Sequence, residues 1–441
     1  FHEAADDWES VWTAESPDPT DDGGEDEPAF AEAFETGWTP RDEVAEMGEE
    51  LDGACFGLEL VGIAESALEP DGRQSPRDHF GRVLRLADSR GRRSPDPVIF
   101  PGGSPELAAP PWEQAPVDVE VVRKAIQLAA TVEASVWRAG GKLVFENARG
   151  QLGHLVRYWL ATNPDIRPDD LLAIQKRATT ITYPEEFFTP RPGKGPVPEA
   201  VVCARRDLLS AVPEAARRTA LKDAVEGRLV MAFKAFHDDK NPWSAAFVMA
   251  FAREVAIQVG LERVEGGVHR GKHALLKVTP AARHLDYVKA AKVQTAPLAY
   301  HAFLPGGRAV AVGDIIVMDR AARTPMGVIS LKQLPPTGET HGDIVVAVDT
   351  STGFAITVGG NVGDPDEGDP DVRPARDSVR CRRFPLTADG RLQVGDDTKF
   401  EQEGNTAGTF KSPRDAKDPA KGQLARASTR RIFALLSLNP A

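Results

Sequence analysis

Residues 241–260 read Asn-Pro-Trp-Ser-Ala-Ala-Phe-Val-Met-Ala-Phe-Ala-Arg-Glu-Val-Ala-Ile-Gln-Val-Gly. The run is helix-length and apolar on nearly every side, with Trp243, Ala246, Phe247, Ala250, Phe251, Val255 and Val259 leaving no broad polar face. A helix of that kind is covered by its own domain from all directions, which predicts a central position. Asn241 is expected to cap it, and Pro242 suits a first turn, where the N–H that proline lacks would be unpaired anyway. Ser244 then falls in that first turn. Unpaired backbone N–H groups and the positive end of the helix dipole favour negative charge there.

The pattern differs on the two sides of this helix. Before it, from about 116 to 236, apolar residues recur at helical spacing. Val119, Val122, Ile126 and Ala129 follow Asp118, a candidate cap. Leu152, Leu155, Val156, Trp159 and Leu160 form a second set, and Pro168 opens a third helix. After a proline-rich loop (190–198), Leu221, Val225, Leu229, Ala232 and Phe236 lay down one more stripe. Beyond 305 the period becomes that of strands: 309–318, 343–349, 354–359 and a further one at 379–387. Helices followed by consecutive strands predict an α+β fold, with a buried helix against an antiparallel sheet and a helical layer ahead of it. The C-terminal stretch Leu424–Leu438 reads as an amphipathic helix docked on the domain. The expected organisation is an acidic tail (1–52), a linker or irregular segment (53–115), a helical region (116–230), the α+β domain (231–395) and a C-terminal loop and helix (396–441).

Charge is unevenly spread. Residues 1–50 hold 18 of the 66 acidic side chains and one of the 53 basic ones, so they carry −17 while the rest of the chain carries +4. Too little apolar surface accompanies those charges to offset the entropy of ordering, which predicts a disordered tail. Trp8, Trp12, Phe30, Phe34 and Trp38, spaced among the acids, offer a way for it to dock on a delivery or assembly partner. Cys55, Cys203 and Cys381 form no CxxC pair, so neither a zinc ribbon nor a disulfide framework is expected. No apolar run is long enough to span a bilayer. No charged-then-apolar leader opens the chain, and its first residue, Phe1, suggests a processed product or a fragment.

Two further stretches carry candidate chemistry. One is Gly313-Asp314-Ile315-Ile316-Val317. The other is His341-Gly342-Asp343-Ile344-Val345-Val346, followed by Gly359-Gly360-Asn361-Val362. An imidazole at a strand entry, as at His341, can act as general base toward a hydroxyl. Asp343 shares the strand face of His341 because side chains alternate. Asn361 ends the next predicted strand, and a hairpin would bring it beside His341. Either residue can fix the tautomer of the imidazole, the third role in a triad.

Taken together, this order resembles that of the CHAP and NlpC-type amidohydrolases, a papain-like clan that mostly cuts amide bonds in peptidoglycan. The likeness covers roughly 230–390. It is closest to an uncharacterised bacterial family within or near that clan, whose motifs read Trp-Ser-Ala-Ala-Phe, His-x-x-Tyr (here His284 and Tyr287), His-x-Asp and Gly-Gly-Asn. The resemblance implies Ser244 as nucleophile, His341 as base and Asp343 or Asn361 as orienter, with Trp243, His284 and Tyr287 contacting substrate. Serine stands where the parent clan carries cysteine, and serine depends wholly on its base. A working serine, a retired enzyme and a Cys→Ser replacement all fit. The function expected is peptidoglycan hydrolysis at the cell wall, in the periplasm or outside the cell. The alternatives are an inactive papain-like binding module, or a cargo or structural component of a phage-like or contractile injection apparatus.

Other signals point elsewhere only weakly. His269 and His273 sit among Gly266, Gly267 and Gly271, which predicts a loop rather than a shared helix face. The run Asp364–Asp371 lacks the register of a calcium loop. No HExxH, P-loop, dinucleotide fingerprint or nucleic-acid module is present. No metal, cofactor or nucleic-acid partner is expected.

Overall fold

The computed structural model describes residues 118–438, apart from 192–193, 238–240, 266–267, 271–274, 277, 279–282, 295–297, 320–339, 364–376, 394–399, 413–414, 419–422 and 427–431. The acidic tail, the 53–115 segment, Cys55, His273 and the Asp364–Asp371 run lie outside the described residues.

Helix α1 (Val119–Val136) begins at Asp118, whose carboxylate accepts the N–H of Glu120. Then come α2 (Leu152–Ala161), α3 (Pro168–Ala178), α4 (Pro198–Leu209), the short α5 (Ala215–Ala220), α6 (Lys222–Phe236) and α7 (Ser244–Gln258). Pro168 occupies the first turn of α3. A hairpin of Arg263–Glu265 and Val268–Arg270 precedes α8 (His284–Lys292), so His269 lies in a strand and not in the expected loop.

The main sheet is built from β1 (Tyr300–Phe303), β2 (Ile315–Asp319), β3 (Thr340–Asp349), β4 (Phe354–Val362), β5 (Ser378–Pro385), β6 (Glu401–Glu403), β7 (Phe410–Lys411) and β8 (Ile432–Leu438). Its order is β7-β6-β5-β4-β3-β2-β8-β1, with every neighbour antiparallel. The protein is α+β, with helices packed on an antiparallel sheet.

The C-terminal expectation is overturned. Residues 432–438 form a strand inserted between β1 and β2, and all seven are buried. Coverage on both faces turns strand alternation into a continuous apolar run, which periodicity alone cannot tell from a buried helix. Ala434, Leu436 and Leu438 join the main core, whereas Leu435 joins a smaller cluster on the opposite face.

That main core runs from α1 to β8 and gathers side chains from the 116–230 helices and from the segment beyond them. Helix α7 sits at its centre, against α1 and α2 on one side and β3 and β4 on the other. A buried arginine ties the first helix to the sheet: Arg123 pairs with Asp314 at 2.7 Å and donates to the carbonyls of Val312 and Leu438. Asp314 of the Gly-Asp motif is therefore an anchor for α1.

Candidate active site

Helix α7 starts at Ser244, and Trp243 precedes it with no side chain of its own capping the end. The expected cap, Asn241, is not one: its amide donates instead to the carbonyl of Met231. A residue 118 positions away serves this helix end, because Asn361 Oδ1 accepts the Trp243 N–H at 2.7 Å. Asn361 reaches it from a bulge in β4. The pairing of β4 with β5 slips between Gly359 and Val362, and Asn361 takes φ +58° there. Its side-chain nitrogen donates to Asp377. The structure thus sets Asn361 against the start of α7, in a place different from the imidazole-orienting one expected of it.

Trp243 is fully buried. Its indole stacks on Trp137 (5.2 Å between ring centroids) and on Tyr158 (5.5 Å), and its N–H donates to Glu146 Oε2 at 2.6 Å. A Cβ on Gly360 would come within 2.5 Å of the same ring. With its faces and its donor taken, Trp243 is a packing residue; the substrate contact expected of it has no surface left to make it.

Helix α8 brings two side chains to the first turn of α7. His284 and Tyr287 are three apart, so they share a helix face. His284 Nε2 lies 3.1 Å from Ser244 Oγ. The Tyr287 hydroxyl donates to the carbonyl of Ala245 at 2.8 Å, and burial raises its pKa well above the usual phenol range. Both side chains are buried, and Ser244 is only 2% exposed.

The second histidine has a different partner. His341 Nε2 lies 2.7 Å from Asp343 Oδ1, as strand alternation predicts. Arg382 on β5 donates to both oxygens of Asp343 (2.8 and 3.1 Å), and Thr357 adds a longer contact. Burial alone would raise the Asp343 carboxyl, but Arg382 and His341 together hold it well below the usual carboxylate range. The two imidazole rings are 6.2 Å apart.

Arg382 was missed by sequence reasoning. Its signal is present in Ser378-Val379-Arg380-Cys381-Arg382-Arg383, a β-rich run whose alternate positions are arginines; Arg380 and Arg382 are both buried. Charge at alternate positions of an inner strand calls for buried acids as partners. Nothing in the local sequence points to Asp377, Thr357 or Glu146. Among the described residues, no group of three or more His, Cys, Asp or Glu side chains is placed to hold a metal ion.

Chemically, Ser244 combines three features: a first-turn position on a buried helix, a histidine within hydrogen-bond reach, and nearby backbone donors. The N–H groups of Ser244, Ala245 and Ala246 precede the first intrahelical bond, which runs from Phe247 N to Trp243 O. They take no acceptor among the described residues.

Residues 210–406 match the model of a family described as "Uncharacterized protein conserved in bacteria (DUF2272)". The matched stretch runs from just past α4 through β6 and contains Ser244, His284, Tyr287, His341, Asp343, Asn361 and Arg382. No curated protein and no solved structure matches the chain.

Proposed function

We propose that this chain is a serine-dependent amide hydrolase of papain-like type that acts on bacterial peptidoglycan. One observation carries the hydrolytic part: Ser244 Oγ, at the first residue of the buried helix α7, lies 3.1 Å from an imidazole nitrogen. Nucleophile and base within hydrogen-bond reach is the geometry that an activated serine requires. The N–H groups of the first turn, which take no acceptor among the described residues, supply donors for the oxyanion formed when Oγ adds to a carbonyl. Peptidoglycan as substrate rests on the motif order that resembles the CHAP and NlpC-type amidohydrolases, and the bacterial family match is compatible with it. The site of action is then the cell wall. The acidic segment 1–50 would dock a delivery or assembly partner.

The test is mass spectrometry of purified peptidoglycan incubated with the wild type, Ser244→Ala and Ser244→Cys. New muropeptides from the wild type that disappear with Ser244→Ala are expected, and their masses name the bond. A second reading, a binding domain of the same fold without turnover, is favoured by the 2% exposure of Ser244. Products from neither the wild type nor Ser244→Cys would replace the hydrolase by that binding domain.

A further inference from the structure

The structure assigns the proton of Ser244 to His284 and not to His341. We infer that His284 is the catalytic base, and that His341, Asp343 and Arg382 form a charge-balanced strut on the other face of the sheet that positions it. The inference rests on the hydrolase reading above.

Side-chain direction along β3 is the first argument. Ile344 and Val346 belong to the core on the helix side, and Val345 to the smaller core on the opposite side. Alternation then turns Gly342 toward the helices and turns His341 and Asp343 away from them. Contacts agree with this. A Cβ on Gly342 would meet the His284 ring at 2.7 Å, whereas His341 and Asp343 crowd Gly359 on β4. Asp343 also meets Thr357 and Arg382, and Arg382 lies over the Phe400 ring of the smaller core.

Charge is the second argument. Asp343 is neutralised by Arg382, and all three members of the strut are buried. Among the described residues, adding a proton to His341 would leave a net positive charge in a buried site, a costly state. A base must accept that proton. His284 would accept it within 3.1 Å of the group that supplies it, while the oxyanion forming at the first turn of α7 offsets the new charge.

Clamping is the third. Tyr287 holds α8 to the carbonyl of Ala245, one residue past the nucleophile, so the His-x-x-Tyr pair grips two successive residues of α7. Gly342 provides the flat floor on which the His284 ring rests.

The step is balanced as follows. Ser244 Oγ bonds to the amide carbon, the carbonyl π pair moves onto oxygen, and the hydroxyl proton passes to His284 Nε2. When the oxyanion collapses, the C–N bond breaks and the departing amine takes that proton. Water then adds to the acyl-serine with His284 again taking a proton, and returning it to Oγ frees the acid product.

Two measurements on the full chain test the assignment. The first is the rate at which a fluorophosphonate labels Ser244 in the wild type, His284→Gln and His341→Gln, with Ser244→Ala as blank. A loss of about 10²–10⁴-fold is expected for His284→Gln, and less than about tenfold for His341→Gln. The reverse order overturns the proposal. The second is the ¹⁵N spectrum of the histidine side chains in the wild type and Ser244→Ala, which needs no His284 variant to fold. The His284 Nε2 signal should move, while His341 stays in the Nε2–H form held by Asp343. Movement of His341 instead, with His284 unchanged, also overturns it. A wild type that takes no label, although His284 still responds to Ser244→Ala, would sink the hydrolase reading. The base role falls with it, and the pairing is then a packing contact.

Discussion

Gly359 has no room for a side chain. A Cβ there would stand 1.8 Å from Asp343 Oδ1 and 3.1 Å from His341 Nε2. Those atoms belong to a buried ion pair and a buried imidazole, so they cannot swing aside into water. Gly359→Ala should therefore destabilise the fold by about 1–3 kcal/mol through overpacking, with more if the Asp343–Arg382 pair opens. Gly150→Ala is the control, because a Cβ there meets nothing within 4 Å. Urea midpoints of the two variants check this, and equal midpoints would refute the crowding argument. In the sequence Gly359 and Gly360 look like turn residues. Their role is clearance for groups that arrive from other strands and helices, and that information is not local.

At the scale of elements, the start of α7 is held by a side chain from a bulge in β4. Asn361 pairs with the Trp243 N–H while its own backbone sits at φ +58°, a region that favours glycine and tolerates asparagine. Two costs can be separated by substitution. Asn361→Gly removes the cap but suits the backbone; Asn361→Ala removes the cap and adds strain. Alanine should be worse than glycine by about 1 kcal/mol. Denaturant midpoints measure the difference, and a glycine variant no more stable than alanine would remove strain from the account.

Legibility also divides at this scale. The all-apolar run from Trp243, the helical stripes of α1, α2 and α6, and the strands beginning near 343 and 354 can be read from periodicity, because one period dominates each. Residues 432–438 cannot, because burial on both faces erases the period. The Asn241 cap fails for a different reason: the residue that caps α7 lies 118 positions away, where no local pattern reports it. In the same way, His341 and Asp343 are a pair that strand alternation foretells. The contact of His284 with Ser244 depends on how α8 docks, which the sequence does not encode locally.

At the scale of the whole molecule, Glu133 and Asp343, buried carboxylates on different elements, make stability depend on pH in the same sense. Glu133 on α1 is held well below the usual carboxylate range. Burial opposes this, but Arg157 and His154 outweigh it, together with a hydrogen bond from the Tyr158 hydroxyl. Arg157 also bridges Glu133 to Glu254 of α7, so this cluster fastens α1, α2 and the central helix together. Asp343 is held down in the same way on the sheet by Arg382 and His341. In both cases the folded carboxyl binds its proton less readily than the unfolded one, whose pKa is about 4. The unfolded chain therefore takes up more protons in acid, and stability rises with pH through that range. The contribution is fully present above about pH 5 and is lost progressively as the pH falls below it, by on the order of 2 kcal/mol per group. Urea midpoints at pH 7, 5 and 3 should show little change over the first interval and a clear fall over the second. Glu133→Gln should lower the midpoint at pH 7 and flatten the fall between pH 5 and 3, because one of the depressed carboxyls that titrate there is gone. A wild-type midpoint that holds steady down to pH 3 would mean that neither carboxylate is ionised and paired as the geometry requires.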